Sequence, residues 1–279
     1  MITAGIDLGT GAVKAVLFKH ENGKTEWLGK RNHRIRQRDP LELCAQAYDQ
    51  LLAEHGLSRD DVTYCATTGE GENIDFRTGH FYSMTTHARG AIYLDPDTTS
   101  VLDMGALHGR AVKTDSMGKV LNYRMTSQCA SGSGQFLENI SRYLGIAQDE
   151  IGPLSKEADD PEVVSSICAV LAETDVINMV SRGISAPNIL KGIHLSMAGR
   201  LAKLLRVIKA TDGVCLCTGG LALDSGMIDA LNESLDKMKL KVEARAHEDS
   251  PYAGAIGAAL WGAYRHQKLQ QQEALAQAS

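Results

Sequence analysis

Apolar residues recur at strand-like and helix-like intervals in turn along the chain. Residues 2–18 predict a strand, a tight glycine turn and a second strand, and residues 40–55 predict an amphipathic helix that Pro40 opens. Further strands are predicted at residues 25–28, 62–67, 99–104, 108–113, 214–218 and 240–244. Further helices are predicted at residues 85–94, 135–144, 161–182, 186–210, 227–238 and 252–268. Strands therefore precede helices in both halves of the chain.

This order favours an α/β fold with two lobes over a barrel or a sandwich. We expect residues 1–95 to form the N-terminal lobe and residues 96–279 the C-terminal lobe, with the last helix free to pack back on the first. Residues 155–160 are expected to form a charged, exposed loop, and the glutamine-rich end at residues 267–279 is expected to fray. No fixed-period repeat indicates a solenoid.

The composition and charge of the chain argue against several classes of function. The 279 residues are 43% apolar and 23% charged, enough to bury a substantial core. A net charge of −5 and an aromatic content of 5% argue against nucleic-acid binding, which uses clustered cations and stacking rings. No basic leader precedes Asp7, and no apolar run approaches the ~18 residues of a membrane span. We therefore expect a cytoplasmic protein with reduced thiols and no nucleic-acid or membrane partner.

Glycine-rich turns after apolar strands are the first candidate binding sites in the sequence. In Asp7-Leu-Gly-Thr-Gly11 the glycines allow a phosphate to approach the backbone N–H groups. Asp7 suits Mg²⁺ or its waters, and Lys14 suits a terminal phosphate. The alternative is an ordinary β-hairpin. The sequence contains neither a P-loop motif nor a Rossmann fingerprint.

Two more turns have the same design, one at Asp103-Met-Gly105 and one at Thr218-Gly-Gly220. The order of the three turns resembles the actin/Hsp70/sugar-kinase ATPase superfamily, which implies two α/β lobes around a nucleotide cleft. By that resemblance Asp7 and Asp103 would organise Mg²⁺ and the attacking water in ATP hydrolysis. The residues that would contact the nucleotide are Thr10, Gly11, Ala12, Val13 and Lys14 for the phosphates, Gly219 and Gly220 for the adenosine, and in addition Gly105, Gly132, Ser133 and Gly134.

The cysteines divide into two groups. Six are too few for a disulfide scaffold, and four lie in apolar segments where packing is the expected role: Cys44, Cys65, Cys215 and Cys217. Cys129 precedes a predicted helix N-terminus, which favours a thiolate, and Cys168 follows later. Two cysteines are too few to ligate a four-thiolate iron–sulfur cluster. They are therefore either structural thiols or two of the four ligands of a cluster that a partner subunit completes.

The residues around these cysteines decide between those alternatives. Cys129-Ala-Ser-Gly-Ser-Gly-Gln-Phe-Leu-Glu138 resembles the signature of the ATP-dependent electron activators of 2-hydroxyacyl-CoA dehydratases and benzoyl-CoA reductases. Ser165-Ser-Ile-Cys168-Ala is similar to the second cysteine motif of that family. Further matching motifs lie at residues 66–71, 86–88, 192–196 and 253–260. The resemblance thus covers nearly the whole chain.

The resemblance implies one [4Fe–4S] cluster, ligated by Cys129 and Cys168 and shared across a subunit interface. ATP hydrolysis would then drive a low-potential electron to a partner that reduces a thioester-activated substrate.

The sequence departs from the activator pattern after Asp103. The family's Gly-Gly-Gln-Asp is replaced here by Met-Gly-Ala-Leu, so that Ala106 and Leu107 stand in place of the polar pair, and Pro251 stands where a glutamine is usual. We interpret His108 as an exposed hairpin histidine, with an acid/base role as the alternative.

These departures favour the smaller ATPase subunit of a class I benzoyl-CoA reductase. Such a subunit would share its cluster with a larger homologous ATPase subunit, beside two catalytic subunits and with reduced ferredoxin as electron donor. The alternatives are a homodimeric dehydratase activator, a small-molecule kinase of the same fold and a non-catalytic regulatory protein.

Overall fold

The computed structural model describes residues 1–126, 133–164 and 169–277. The chain forms two compact units. Unit 1 comprises Met1–Leu94, Met117–Lys119 and Tyr252–Ser279, and unit 2 comprises Asp95–Ser116 and Val120–Pro251. No helix within the described residues is both long and apolar enough to cross a membrane.

Unit 1 is built on a mixed sheet in the order β3-β2-β1-β4-β5. Strands β1, β2 and β3 form an antiparallel meander, and β4 pairs parallel to β1. Helices cover this sheet. The elements are β1 (Ile2–Leu8), β2 (Ala12–Glu21), β3 (Lys24–Arg34), α1 (Pro40–Glu54), β4 (Tyr64–Gly69), β5 (Gly79–His80), α2 (Ser83–Leu94) and α8 (Ala253–Gln277).

Unit 2 repeats this topology, with a sheet in the order β10-β9-β6-β7-β8. Strands β6, β7 and β8 form the meander, and β9 pairs parallel to β6. The elements are β6 (Thr98–Met104), β7 (Gly109–Thr114), β8 (Val120–Met125), α3 (Gly134–Leu144), α4 (Ile151–Lys156), α5 (Ala169–Ser181), α6 (Ala186–Val207), β9 (Asp212–Thr218), α7 (Ser225–Lys237) and β10 (Lys241–Arg245). The two repeated sheets confirm the predicted α/β class.

Local sequence explains the elements that frame the sheets. Helix α1 begins where the Asp39 carboxylate accepts hydrogen bonds from the N–H groups of Leu41 and Glu42, with Pro40 in the first turn. Helix α8 is rich in glycine and alanine because its backbone approaches its neighbours closely. A Cβ atom on Gly257 would collide with the carbonyl oxygen of Thr86 in α2.

Several sequence expectations differ from the structure. Residues 155–160 are not one exposed loop, because α4 extends to Lys156 and buries Ser155. Residues 161–164 are not helical, and the helix predicted from there is observed as α5. Strand β8 was not predicted, and α8 continues to Gln277 where fraying was expected from residue 267.

Candidate functional site

The first candidate site lies on the β1–β2 hairpin of unit 1. Asp7 and Lys14 are register partners on the two strands, and Lys14 Nζ lies 3.7 Å from Asp7 Oδ2. Both are buried, at 6% and 8% exposure. The turn between them is closed by a hydrogen bond of 3.0 Å from the Gly9 N–H to the Ala12 carbonyl. Its tip, Thr10 and Gly11, is exposed, so backbone donors of the turn are accessible to an anion.

Two glycines surround the Asp7 carboxylate. Gly69, at the end of β4, has a φ of +69°, and a Cβ there would lie 2.9 Å from Asp7 Oδ1. A Cβ on Gly254 would lie 2.8 Å from Asp7 Oδ2 and 2.8 Å from His87 Nε2. Sequence reasoning did not place Gly69, His87 or Gly254 in the site, although all three lie inside or beside the quoted motifs. Side chains at either glycine would displace the acid.

Unit 2 carries a second candidate site of the same design on the β6–β7 hairpin. Asp103, at 4% exposure, is the register partner of Arg110, whose Nη1 lies 3.6 Å from Asp103 Oδ2. The Gly105 N–H donates to the His108 carbonyl at 2.9 Å, as in the first turn. Gly219, at the end of β9, has a φ of +84°, and a Cβ there would lie 2.6 Å from Asp103 Oδ1.

Each site thus presents a buried carboxylate, a cation on the opposite strand and a threonine–glycine pair at the end of the parallel strand or directly after it. In register, Asp7 faces Thr68 and Asp103 faces Thr218. A carboxylate can hold a hydrated divalent cation, and exposed turn N–H groups suit phosphate.

His108 is not the exposed hairpin residue expected from sequence. Its side chain is only 25% exposed, because the imidazole folds back over Gly105 and places Nε2 3.3 Å from Asp103 Oδ2. Arg110 was also missed. Its position opposite Asp103 follows the same seven-residue offset that the sequence shows between Asp7 and Lys14.

The α3 N-terminus is tied directly to this second turn. The Gly134 N–H donates to the Gly105 carbonyl at 3.0 Å, and the Gln135 N–H donates to the Ala106 carbonyl at 2.9 Å. Ser133 is buried at the N-cap position, and Gly132 lies outside the described residues.

The two glycines predicted to contact the adenosine differ in their surroundings. Gly220 has open space around it among the described residues, whereas Gly219 is tightly enclosed.

The four cysteines predicted to be packing thiols are confirmed as buried and free: Cys44, Cys65, Cys215 and Cys217. Burial raises the pKa of the Cys65 thiol to about 12, so a thiolate is disfavoured there. Cys129 and Cys168 lie outside the described residues. Across the part of the chain that the structure describes, no group of three or more His, Cys, Asp or Glu side chains is arranged to hold a metal ion.

The paired sheets with an acid-bearing glycine turn in each define an ATPase of the actin/Hsp70/sugar-kinase fold class. More specifically, residues 4–262 match the model of the BadF/BadG/BcrA/BcrD ATPase family, and the chain belongs to that family. The D-type subunit of benzoyl-CoA reductase from Thauera aromatica is 74% identical over 268 residues, covering 96% of this chain and 95% of that protein.

Solved structures agree with this assignment. The activator of the 2-hydroxyisocaproyl-CoA dehydratase from Clostridium difficile, with bound ADPNP, superposes with a TM-score of 0.87. It is 27% identical and covers 98% of both chains. A ROK-family glucokinase from Streptomyces griseus, in complex with glucose and AMPPNP, superposes with a TM-score of 0.55 at 15% identity, covering 95% of this chain and 100% of that one. The second similarity concerns the fold alone.

Proposed function

We propose that this chain is the ATP-hydrolysing, electron-transferring D-type subunit of a class I benzoyl-CoA reductase. The observation that carries the proposal is the 74% identity to the corresponding Thauera aromatica subunit across 96% of the chain. In this function the free energy of ATP hydrolysis delivers a low-potential electron for reduction of the benzoyl-CoA ring on partner subunits.

In this proposal the turns that carry Asp7 and Asp103 bind and hydrolyse ATP. Asp7 and Asp103 would hold Mg²⁺ or its waters, and their ionised carboxylates would orient the water that attacks the γ-phosphate. Lys14, whose Nζ lies 3.7 Å from Asp7 Oδ2, is the cation of this turn and would interact with phosphate charge beside Asp7. The remaining phosphate contacts come from Thr10, Gly11, Ala12, Val13, Gly105, Gly132, Ser133 and Gly134, and the adenosine contacts from Gly219 and Gly220. The Val13 side chain is fully buried in the core, so its contribution is limited to its backbone.

The thiolates of Cys129 and Cys168 would be two of the four ligands of a [4Fe–4S] cluster, and a larger homologous ATPase subunit would supply the other two thiolates. Such a cluster supplies one-electron transfer when bound. The incomplete cysteine pair supports the shared arrangement, because the other four cysteines are buried packing thiols. The hydrogen bonds from Gly134 and Gln135 to the Asp103 turn support a link between nucleotide state and the segment around Cys129. For that link to do work, ATP and ADP must favour different conformations.

The proposed complex contains this chain, the larger ATPase subunit and two catalytic subunits, in the cytoplasm, with reduced ferredoxin as electron donor. The Thauera aromatica relative is one subunit of its enzyme, which supports a multi-subunit assembly here. Benzoyl-CoA would bind on the catalytic subunits.

Iron content tests the cluster assignment. In the anaerobically purified complex, Cys129→Ser and Cys168→Ser should each lose iron and the broad visible absorbance, because each removes one of four thiolate ligands. Cys44→Ala is the matched control, since Cys44 is a buried packing thiol and its loss should leave the iron content unchanged. Full iron content in both serine variants would refute the cluster assignment.

A homodimeric dehydratase activator is the second candidate function, favoured by the TM-score of 0.87 to such an activator. The two candidate functions differ in the subunits with which the chain assembles. Expression with its genomic neighbours should yield a complex with a longer homologous ATPase if the chain is a reductase subunit. Self-dimerisation, together with activation of a 2-hydroxyacyl-CoA dehydratase, would instead establish the second function.

A further inference from the structure

A three-residue cluster on the β6–β7 hairpin goes beyond the site residues assigned so far. His108 Nε2 lies 3.3 Å from Asp103 Oδ2, and Arg110 Nη1 lies 3.6 Å from the same oxygen. Arg110 Nη2 lies 3.4 Å from His108 Nδ1. The carboxylate of Asp103 is therefore approached at one oxygen by both an imidazole and a guanidinium.

The guanidinium of Arg110 determines which ring nitrogen of His108 carries the proton. Arginine is only a hydrogen-bond donor, so His108 Nδ1 must accept from Arg110 and carries no proton. The proton of the neutral ring then lies on Nε2, which donates to Asp103 Oδ2. The hydrogen bonds run in one direction, from Arg110 to His108 to Asp103, and fix the orientation of the carboxylate.

The equivalent turn in unit 1 shows that a histidine is not needed to build this hairpin. Ala12 closes the first turn by accepting from the Gly9 N–H, as His108 does from the Gly105 N–H. The unit 1 turn forms with a methyl group at that position. In unit 2, the imidazole occupies space that Gly105 leaves open, since a Cβ on Gly105 would lie 2.8 Å from His108 Nε2.

We propose that His108, held by Arg110, is a positioning residue that orients the Asp103 carboxylate for ATP hydrolysis. The other side chains of the turn, from Ala106 and Leu107, are hydrocarbon and have no donor to offer. His108 transfers no proton in this role and acts through Asp103. The proposal rests on the proposed nucleotide function of Asp103.

Two polar substitutions in the assembled complex test the role of the donor. The amide nitrogen of His108→Gln reaches the place of Nε2, whereas His108→Asn ends near the place of Nδ1 and does not reach Asp103. We expect His108→Asn to lower kcat for ATP hydrolysis by about 10- to 100-fold, the scale of a hydrogen bond to a charged group. The KM for ATP should stay within about twofold, because the positioned carboxylate acts on the reacting water. His108→Gln should recover most of the lost rate.

Three further measurements separate positioning from a structural role. The dissociation constant of ADPNP should be the same in His108→Asn, His108→Gln and the unsubstituted protein, and thermal unfolding should show that both variants are folded at the assay temperature. His55→Gln, at an exposed histidine after α1, is the matched control and should retain the full rate. Equal loss in the Gln and Asn variants, no loss in either, or a change confined to KM would each overturn the positioning role.

Asp103→Asn distinguishes failure of this inference from failure of the proposed site. If Asp103→Asn abolishes hydrolysis while both His108 variants retain it, only the positioning role is wrong. If Asp103→Asn itself hydrolyses ATP at the full rate, the site assignment is wrong and the inference falls with it.

Discussion

At the scale of single residues, the two candidate acids depend on cross-strand pairing. Burying a carboxylate is costly unless a cation or hydrogen-bond donors accompany it. A tight turn in each hairpin places Asp7 opposite Lys14 and Asp103 opposite Arg110. The same spacing therefore supplies a buried acid and the charge that compensates it.

Gly219 and Gly220 are adjacent, but only Gly219 is crowded and has a positive φ. Alanine substitutions at the two positions therefore form a matched pair. An alanine at 219 would combine a φ of +84° with a Cβ 2.6 Å from both Asp103 Oδ1 and the Met104 carbonyl. We expect Gly219→Ala to reduce the free energy of unfolding by about 1–3 kcal/mol. Gly220→Ala has open space and should change it by less than about 0.5 kcal/mol. Urea denaturation of both variants measures the difference, and equal losses would contradict this account.

Sequence reasoning located the acids but not all of their neighbours. Asp7, Lys14 and Asp103 stand at strand ends beside glycines, a pattern that is visible in the sequence. The contact of the His108 imidazole with Asp103 uses the space above Gly105, so it becomes visible only in three dimensions. Gly254 approaches Asp7 from the far end of the chain, a contact that no local pattern contains.

At the scale of elements, a buried histidine joins three helices of unit 2. His194 on α6 is fully buried, with Nδ1 2.8 Å from Ser155 Oγ on α4 and Nε2 3.2 Å from Asp224 Oδ2. Asp224 also caps α7 by accepting from the Met227 N–H. Ser155 was predicted to be exposed because its neighbours in sequence are charged, and its partner His194 lies on a different element. Tertiary packing thus overrides the local pattern here.

This cluster predicts a pH-dependent contribution to stability. Burial raises the pKa of the Asp224 carboxyl, but the neighbouring His194 and hydrogen bonds from the backbone lower it more, so the pKa lies below its usual value. The ionised carboxylate therefore stabilises the fold above the unfolded pKa of about 3.9. That contribution is lost as the pH falls through the lower, folded-state pKa. At pH 7 we expect Asp224→Asn to cost about 1.5–3 kcal/mol of unfolding free energy.

Urea denaturation between pH 7 and pH 3 measures this dependence. The difference between Asp224→Asn and the unsubstituted protein should shrink as the pH falls below about 4. The control is Asp229→Asn, which removes an ion pair between α7 and Lys156 of α4. Because that ion pair is exposed, its loss should cost less than about 1 kcal/mol. A constant difference for Asp224→Asn across the pH range would exclude the carboxylate as its origin.

At the scale of the whole molecule, the chain repeats one topology, and this repeat is hidden in the sequence. Both units contain a three-strand meander followed by a parallel strand. The shared residues are few, and insertions of different length separate them, so no fixed period appears. The order of strands and helices predicted the α/β class, and the glycine turns predicted where the acids would stand. The assignment of α8 to unit 1 depends on contacts with β1, β4 and α2 that are distant in sequence.

Helix α8 supplies part of the core of unit 1, which predicts how truncation acts. Ala255, Ile256 and Ala259 pack with Val16 and Phe18 in one buried cluster. A chain that ends at residue 251 leaves this apolar surface exposed to water, and unit 1 should fail to fold. A chain that ends at residue 268 keeps every buried residue of α8 and should fold normally.

Tryptophan fluorescence reports the outcome directly, because the chain has two tryptophans and the shorter chain retains only one of them. That residue, Trp27, lies in unit 1 and packs on Phe18 with ring centroids 5.8 Å apart. In the chain that ends at residue 251, its emission should shift to the red and show no cooperative unfolding transition. In the chain that ends at residue 268, emission and transition should match those of the full chain. A native emission maximum and a cooperative transition in the shorter chain would show that α8 is dispensable, and that residues 1–95 form a self-sufficient lobe.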